Sequence, residues 1–263
     1  MKNRRILHVL VITALVCFAF GTVQARADVY MKQKTHTGSF TMMGQTQPEK
    51  DIVSVFWLAE NKARTDQDDG TSTILLGDKK VLCLIDHNKK QYAEMPLDLE
   101  KMFDEAMGAQ AGDDPETAEA KKKMPAFMKN MMKGVMGNMS AKVTETGETK
   151  KIGSWNCRKY LIEMDMGMGK SQSEAWATED LKINYGLYFT SANAMMASQP
   201  GFDKIIKEMQ KVKGVIVFQT ATVKMMGAEV TSTTEVLECT DKDAPAGNYE
   251  VPAGYKKVKS IGR

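Results

Sequence analysis

Histidine is scarce in this chain, at three in 263 residues. One of them, His8, lies in the amino-terminal segment read below as a leader, which leaves His36 and His87. The first sits in a polar strand-like run and the second in a tight turn, with no metal or triad partner beside either, so both read as solvated side chains. Cysteine is almost as sparse: beyond the leader stand Cys83, Cys157 and Cys239. No two of them form a CxxC pair, which excludes a thioredoxin-type redox site. GxSxG, HExxH, Walker A and GxGxxG motifs are all missing. The acidic run Asp66-Gln67-Asp68-Asp69-Gly70 resembles a calcium loop, but its glycine arrives one place early and no glutamate closes the loop. A hairpin turn accounts for it better. These gaps argue against an enzyme and supply no residues for a cofactor.

What is present begins with a leader. Lys2, Arg4 and Arg5 precede the mostly apolar run 6–20, and Ala25-Arg26-Ala27 puts small residues at the two positions a signal peptidase reads. Export and cleavage before Asp28 are expected, with cleavage after Ala25 as the alternative. The apolar run is shorter than the roughly 20 residues that span a bilayer. Val16 ahead of Cys17 is too large for a lipid-attachment site. The destination is the periplasm, where an odd number of cysteines permits one disulfide and one remaining thiol. The leader carries four basic residues and no acid, so its removal takes 36 basic residues to 32 against 33 acids, a net charge of −1 in place of +3. A nucleic-acid partner is excluded, since a basic domain is the first requirement of that function. Only local basic runs remain, at Lys121-Lys122-Lys123 and Lys256-Lys257, and these offer peripheral contact with anionic head groups.

The remaining chain, 28–263, suits one domain. Six strands in meander order are expected before residue 97, including 52–57 with Trp57 at its end. Asp69-Gly70 and 86–89 supply tight turns. After residue 140 strands are expected at 143–149, 155–165, 174–177, 181–189, 215–225 and 229–239. A helix at about 202–212 is entered after Pro200-Gly201 and stopped at Gly214.

Between them the pattern turns helical, in a methionine-rich insertion at about 97–140. Leu99, Met102, Phe103, Ala106 and Met107 form a first stripe. Met124, Phe127, Met128, Met131, Met132, Val135, Met136 and Met139 form a second, all within about 180° of one helical face. Lys129 and Lys133 lie opposite. Pro125 kinks or restarts this helix, and Gly134 and Gly137 weaken it by roughly 1 kcal/mol each relative to alanine. Methionine is flexible and polarisable, so such a surface fits acyl chains or partner helices. About twelve strands and about three helices give a mixed, mainly β class: a large curved antiparallel sheet with helices on its concave side.

Several residues carry a resemblance. Ile85-Asp86 followed by Lys90 and Tyr92, Gly153 with Cys157 and Tyr160, Trp176-Ala177-Thr178 followed by Leu181, and the closing Tyr249-Glu250-Val251-Pro252-Ala253-Gly254-Tyr255 resemble an uncharacterised bacterial exported family. That family is similar to the lipoprotein-carrier fold of LolA, LolB and the RseB amino-terminal domain. The resemblance implies a half-open barrel with a helical cover that holds a lipid or lipidated ligand, in a carrier or sensor. Met124, Phe127, Met128, Met131, Met132, Val135, Met136 and Trp57 are the expected ligand-binding residues, with Lys129 and Lys133 at the rim. Two rival functions stand beside it. Met164, Met166 and Met168, spaced along an expected extended strand, offer thioethers for Cu(I) or Ag(I). The third possibility is a structural module that binds an envelope protein.

Overall fold

The computed structural model describes residues 27–42, 44–97, 139–167, 169–188, 202–225 and 227–261. The strands are β1 (Asp28–Thr37), β2 (Phe40–Met42), β3 (Gln45–Gln47), β4 (Lys50–Ala59), β5 (Lys62–Gln67), β6 (Thr71–Leu76), β7 (Val81–Asp86), β8 (Gln91–Pro96), β9 (Ser140–Ile152), β10 (Trp155–Asp165), β11 (Gly169–Thr178), β12 (Val215–Met225), β13 (Ala228–Lys242) and β14 (Lys256–Lys257). Twelve of them make one open sheet in the order β14-β8-β7-β6-β5-β4-β1-β13-β12-β11-β10-β9, and β2 and β3 form a separate hairpin. All pairs are antiparallel except β14 with β8. The chain is therefore mainly β, as expected.

The meander from β4 to β8 is held by turns that the sequence specifies. Gly70 adopts φ +84°, and the Asp69 carboxylate receives the Thr71 N–H at 3.1 Å and its hydroxyl at 2.7 Å. This is an Asp side chain mimicking a backbone turn partner. One topological fact is not local. Strands β8 and β9 stand towards opposite edges of the sheet, about 48 Å apart along it at roughly 4.8 Å per strand. Residues 98–138 join the two.

Two helices occur among the described residues, where about three were expected. The expected helices within 97–139 fall almost wholly outside the described residues. The helix expected at 202–212 is present over Phe202–Met209 and ends before Gly214, which takes φ +87°. The other helix begins at residue 185 and occupies a stretch expected as strand 181–189. Its alternation of Leu181, Ile183 and Tyr185 is genuine, but Asn184 overrides it. The Asn184 side-chain oxygen accepts the Leu187 N–H at 3.0 Å, an N-cap that offers the backbone a local partner in place of a ladder. These helices are labelled α1 (185–188) and α2 (Phe202–Met209).

Register assigns every strand residue to one of two faces. Val29 and Met31 of β1 lie across from Leu58 and Phe56 of β4. Tyr30 points the other way, beside Trp57. On the Val29 face, Val29, Leu58, Ala63 and Leu75 pack beneath Ile183, Leu187 and Tyr188. Further along, Val143, Tyr160 and Ile162 pack with Met209 and Val212. The Glu208 carboxylate of α2 accepts the Val143 N–H of edge strand β9 at 3.0 Å. On the opposite face, Ile74, Cys83 and Ile85 are covered by Tyr249, Val251 and Tyr255 of the carboxy-terminal segment. Both ends of the sheet thus have their own core.

Candidate functional site

Strands β10 to β13 carry two faces of opposite character, one of which starts in the core just described, at Tyr160, Ile162 and Ala175, and runs on through Ala221, Val223 and Val230. On the Val29 face the cross-strand rows read Thr234-Gln219-Ala175-Tyr160, Ser232-Ala221-Ser173-Ile162 and Val230-Val223-Ser171-Met164. None of these residues is charged. The rows on the other face read Thr233-Thr220-Glu174-Leu161, Thr231-Thr222-Gln172-Glu163 and Glu229-Lys224-Lys170-Asp165.

Part of the polar inventory of the uncharged face is paired within it. Gln219 Nε2 donates to Ser173 Oγ at 2.9 Å, and the Thr35 and Thr234 hydroxyls lie 3.0 Å apart. A buried amide or hydroxyl costs little once it is paired, so this floor behaves as more apolar than its composition. The opposite face holds an open groove of about 680 Å³ whose lining includes Leu161, Glu163, Glu174, Thr220, Thr222 and Lys224. Its acids face lysines: Glu174 lies 3.2 Å from Lys159, and Glu229 3.2 Å from Lys224.

A second cluster of interacting polar groups joins β5, β6, the β7–β8 turn and the carboxy-terminal segment. Arg64 Nε donates to both Asp66 oxygens at 2.8 and 2.9 Å, and its Nη1 donates to the Asn248 carbonyl at 2.9 Å. Ser72 Oγ donates to Asp66 Oδ1 at 2.5 Å. Because Ser72 has one proton and spends it on Asp66, the 2.7 Å contact with His87 Nε2 requires the imidazole to donate there. The other ring nitrogen, Nδ1, bonds the Tyr255 hydroxyl 2.9 Å away. Burial raises the Asp66 pKa, but hydrogen bonds from Arg64 and Ser72 outweigh it and leave the carboxyl below its ordinary range. Nearby, Tyr249 donates to Asp28 Oδ2 at 2.8 Å. Burial first, and the Asp28 carboxylate second, push that phenol up.

His87 is therefore not the solvated side chain expected from its turn. His36 meets the expectation more closely: it is exposed and pairs with Asp51 at 2.7 Å. The Asp66–Ser72–His87 chain has the residue types of a hydrolase but not the connectivity. Serine stands between acid and base, and at 3% exposure it is closed to a substrate.

Of the expected ligand-binding residues, Met124, Phe127, Met128, Lys129, Met131, Met132, Lys133, Val135 and Met136 lie outside the described residues, as does Met168. Trp57 is described. It is 7% exposed, on the Tyr30 face, with its ring 4.9 Å from the Tyr30 ring in an edge-on contact and Lys242 Nζ 5.8 Å from it. Trp57 thus faces away from the uncharged floor. Met164 sits at the end of that floor, but β10 stops at Asp165. Gly167 then takes φ +77°, and Met166 N–H bonds the Gly169 carbonyl at 2.8 Å. Met164 and Met166 lie at the start of a hairpin turn, not along one extended strand. All three described cysteines are free thiols. Burial pushes the Cys239 thiol up to about 12.

A family model described as "Domain of unknown function (DUF4412)" matches residues 127–255. No curated protein matches the chain. Among solved structures, PNGF-II is similar over 87% of this chain and 30% of its own, with a TM-score of 0.32 and 10% identity. This chain thus spans 30% of the length of PNGF-II. A DUF1329 family protein from Desulfovibrio piger ATCC 29098 is similar over 86% of this chain and 90% of its own, with a TM-score of 0.29 and 8% identity. Neither likeness informs the function.

Proposed function

We propose that this chain is a periplasmic carrier or sensor, not an enzyme, that holds an apolar or amphipathic ligand such as a lipid or acyl chain against the uncharged face of a LolA/LolB-like half-barrel. The observation that carries this reading is the contrast between the two faces of β10–β13. An acyl chain laid on the charged face would strip water from Glu163, Glu174, Lys224 and Glu229, which costs several kcal/mol per ion when compensation is incomplete. Laid on the other face it meets no charge and covers the aliphatic groups of Ala221, Val223 and Val230, beside Tyr160, Ile162 and Ala175 that are already buried. Burial there contributes roughly 0.8 kcal/mol per CH₂.

The openness of the sheet supports the same reading, because an open sheet can be reached from its edges as well as from its ends. Connectivity supports it too: the methionine stripe lies on the only stretch of chain that joins β8 to β9. The test is native mass spectrometry of the mature protein purified from its own envelope compartment, with and without added Cu(I). A co-purifying lipid or lipopeptide mass is expected. A bare protein that takes up copper stoichiometrically would move the function to the thioether ligands around Met164 and Met166. One indifferent to both would point to an envelope protein partner.

A further inference from the structure

The Ala27–Asp28 bond runs directly into a strand with neighbours on both sides. Asp28 is the first residue of β1, and β1 lies between β4 and β13. Asp28 pairs with Lys242. Val29 pairs with both Asp241 and Leu58 and is 0% exposed. The Asp28 side chain is held as well, by the Tyr249 hydroxyl. A peptidase must draw the residues around a scissile bond into its own cleft, so that the carbonyl meets nucleophile and oxyanion donors at about 3 Å. No spare linker separates this bond from the ladder. Cutting it in the finished fold means peeling Asp28 off β13 and exposing Val29.

We propose that the Ala27–Asp28 bond is a processing site open only to the unfinished chain, so that leader removal must precede the docking of β13 on β1. This rests on the leader reading of residues 1–27. The hydrolysis adds one water across the amide, leaving a carboxylate on Ala27 and an ammonium on Asp28. Topology supplies the window. One neighbour of β1, β4, follows it closely in the chain, but the other ends at Lys242 and the clamp Tyr249 comes later still. Pairing at that sequence separation is entropically costly and slow. The bond therefore stays exposed until almost the whole chain has crossed the membrane. A precursor that folds first keeps its leader.

The test uses the full-length precursor and purified signal peptidase in detergent micelles. The refolded chain is compared with the same chain carrying Val236→Asp, which puts a charge at the β13 position opposite Gln33 and prevents docking. Expected are a rate at least tenfold lower for the folded chain, a product that begins at Asp28, and partial relief in folded Tyr249→Phe. Equal rates for folded and undocked chains would overturn the proposal. A product beginning at Arg26 would overturn it too, because that bond lies two residues clear of β1. A chain left uncut in both states would remove the leader reading, and the proposal with it.

Discussion

His87 stands between Ser72 and Tyr255, with Nε2 2.7 Å from the serine hydroxyl and Nδ1 2.9 Å from the phenol. This links the carboxy-terminal segment, through one imidazole, to a carboxylate already held by Arg64. Two of the directions are fixed, because the single Ser72 proton goes to Asp66 and His87 must then donate to Ser72. Such a network is stable when every member is satisfied and costly when one is missing. Its role is to fix the segment that covers Ile74, Cys83 and Ile85.

Asp66 should make stability fall in acid. Its folded-state pKa is lowered, so its contribution is complete above the unfolded carboxylate value of about 3.9. That contribution is lost as pH falls through the lower folded value. Asp66→Asn should therefore be less stable than the parent at pH 7, and the gap should close as pH drops below about 4. Urea midpoints across pH 2–8 measure this. A gap that stays constant down to pH 2 would assign the loss to geometry and not to charge.

Tyr255→Phe removes only the hydroxyl that bonds His87 Nδ1. The ring still packs on the Ile74 cluster, so a cost of about 1 kcal/mol is expected. The effect should be local. Amide exchange should quicken at Lys256 and Val258, whose N–H groups bond the Lys90 and Tyr92 carbonyls, while the β1 amides keep their protection. Hydrogen exchange read residue by residue would show whether the latch and the sheet respond separately.

Gly214 is where the chain re-enters the sheet after α2. A Cβ placed there would lie 2.0 Å from the Thr178 carbonyl oxygen, with φ at +87°. Gly153 also has positive φ, +56°, but nothing lies within 4 Å of its Cβ position. Gly153→Ala should then cost roughly 1–2 kcal/mol from backbone strain alone. Gly214→Ala should cost well beyond that, past the 3 kcal/mol that marks an ordinary single substitution. Paired denaturant titrations separate strain from collision.

Local chemistry was the legible part. Asp69-Gly70 announced its turn because few residues accept φ above zero, and 202–212 announced α2 through Ile205, Met209 and Val212 on one face. Tyr185 was misread because alternation resembles a strand until the Asn184 cap is recognised. The Asp66–Ser72 contact was within reach, since those residues pair across the turn once its register is set. The other half was not. Tyr255 reaches His87 across most of the chain, and the placing of β8 and β9 towards opposite edges depends on β1 pairing with β13. No local pattern encodes either. The uncharged floor lay hidden for the same reason: the serines and threonines of β11 to β13 look like ordinary alternation until three strands are set side by side.

Ala221 and Thr222 are neighbours on β12 that point to opposite faces, which makes them a controlled pair for the proposed function. Ala221 sits between Ser173 and Ser232 on the uncharged floor, and Thr222 between Gln172 and Thr231 on the charged face. A glutamate at either position has the same backbone cost and the same charge. At 221 it faces the site proposed for an acyl chain, where an unpaired carboxylate is expensive to cover. At 222 it joins a surface that already holds Glu163 and Glu174. If the ligand lies on the floor, Ala221→Glu should weaken retention of a fluorescent fatty acid by tenfold or more while Thr222→Glu leaves it within twofold, at equal urea midpoints. Loss at 222 alone would place the ligand in the 680 Å³ groove of the charged face and reverse the assignment of faces. Equal retention in both variants would remove β12 from the site.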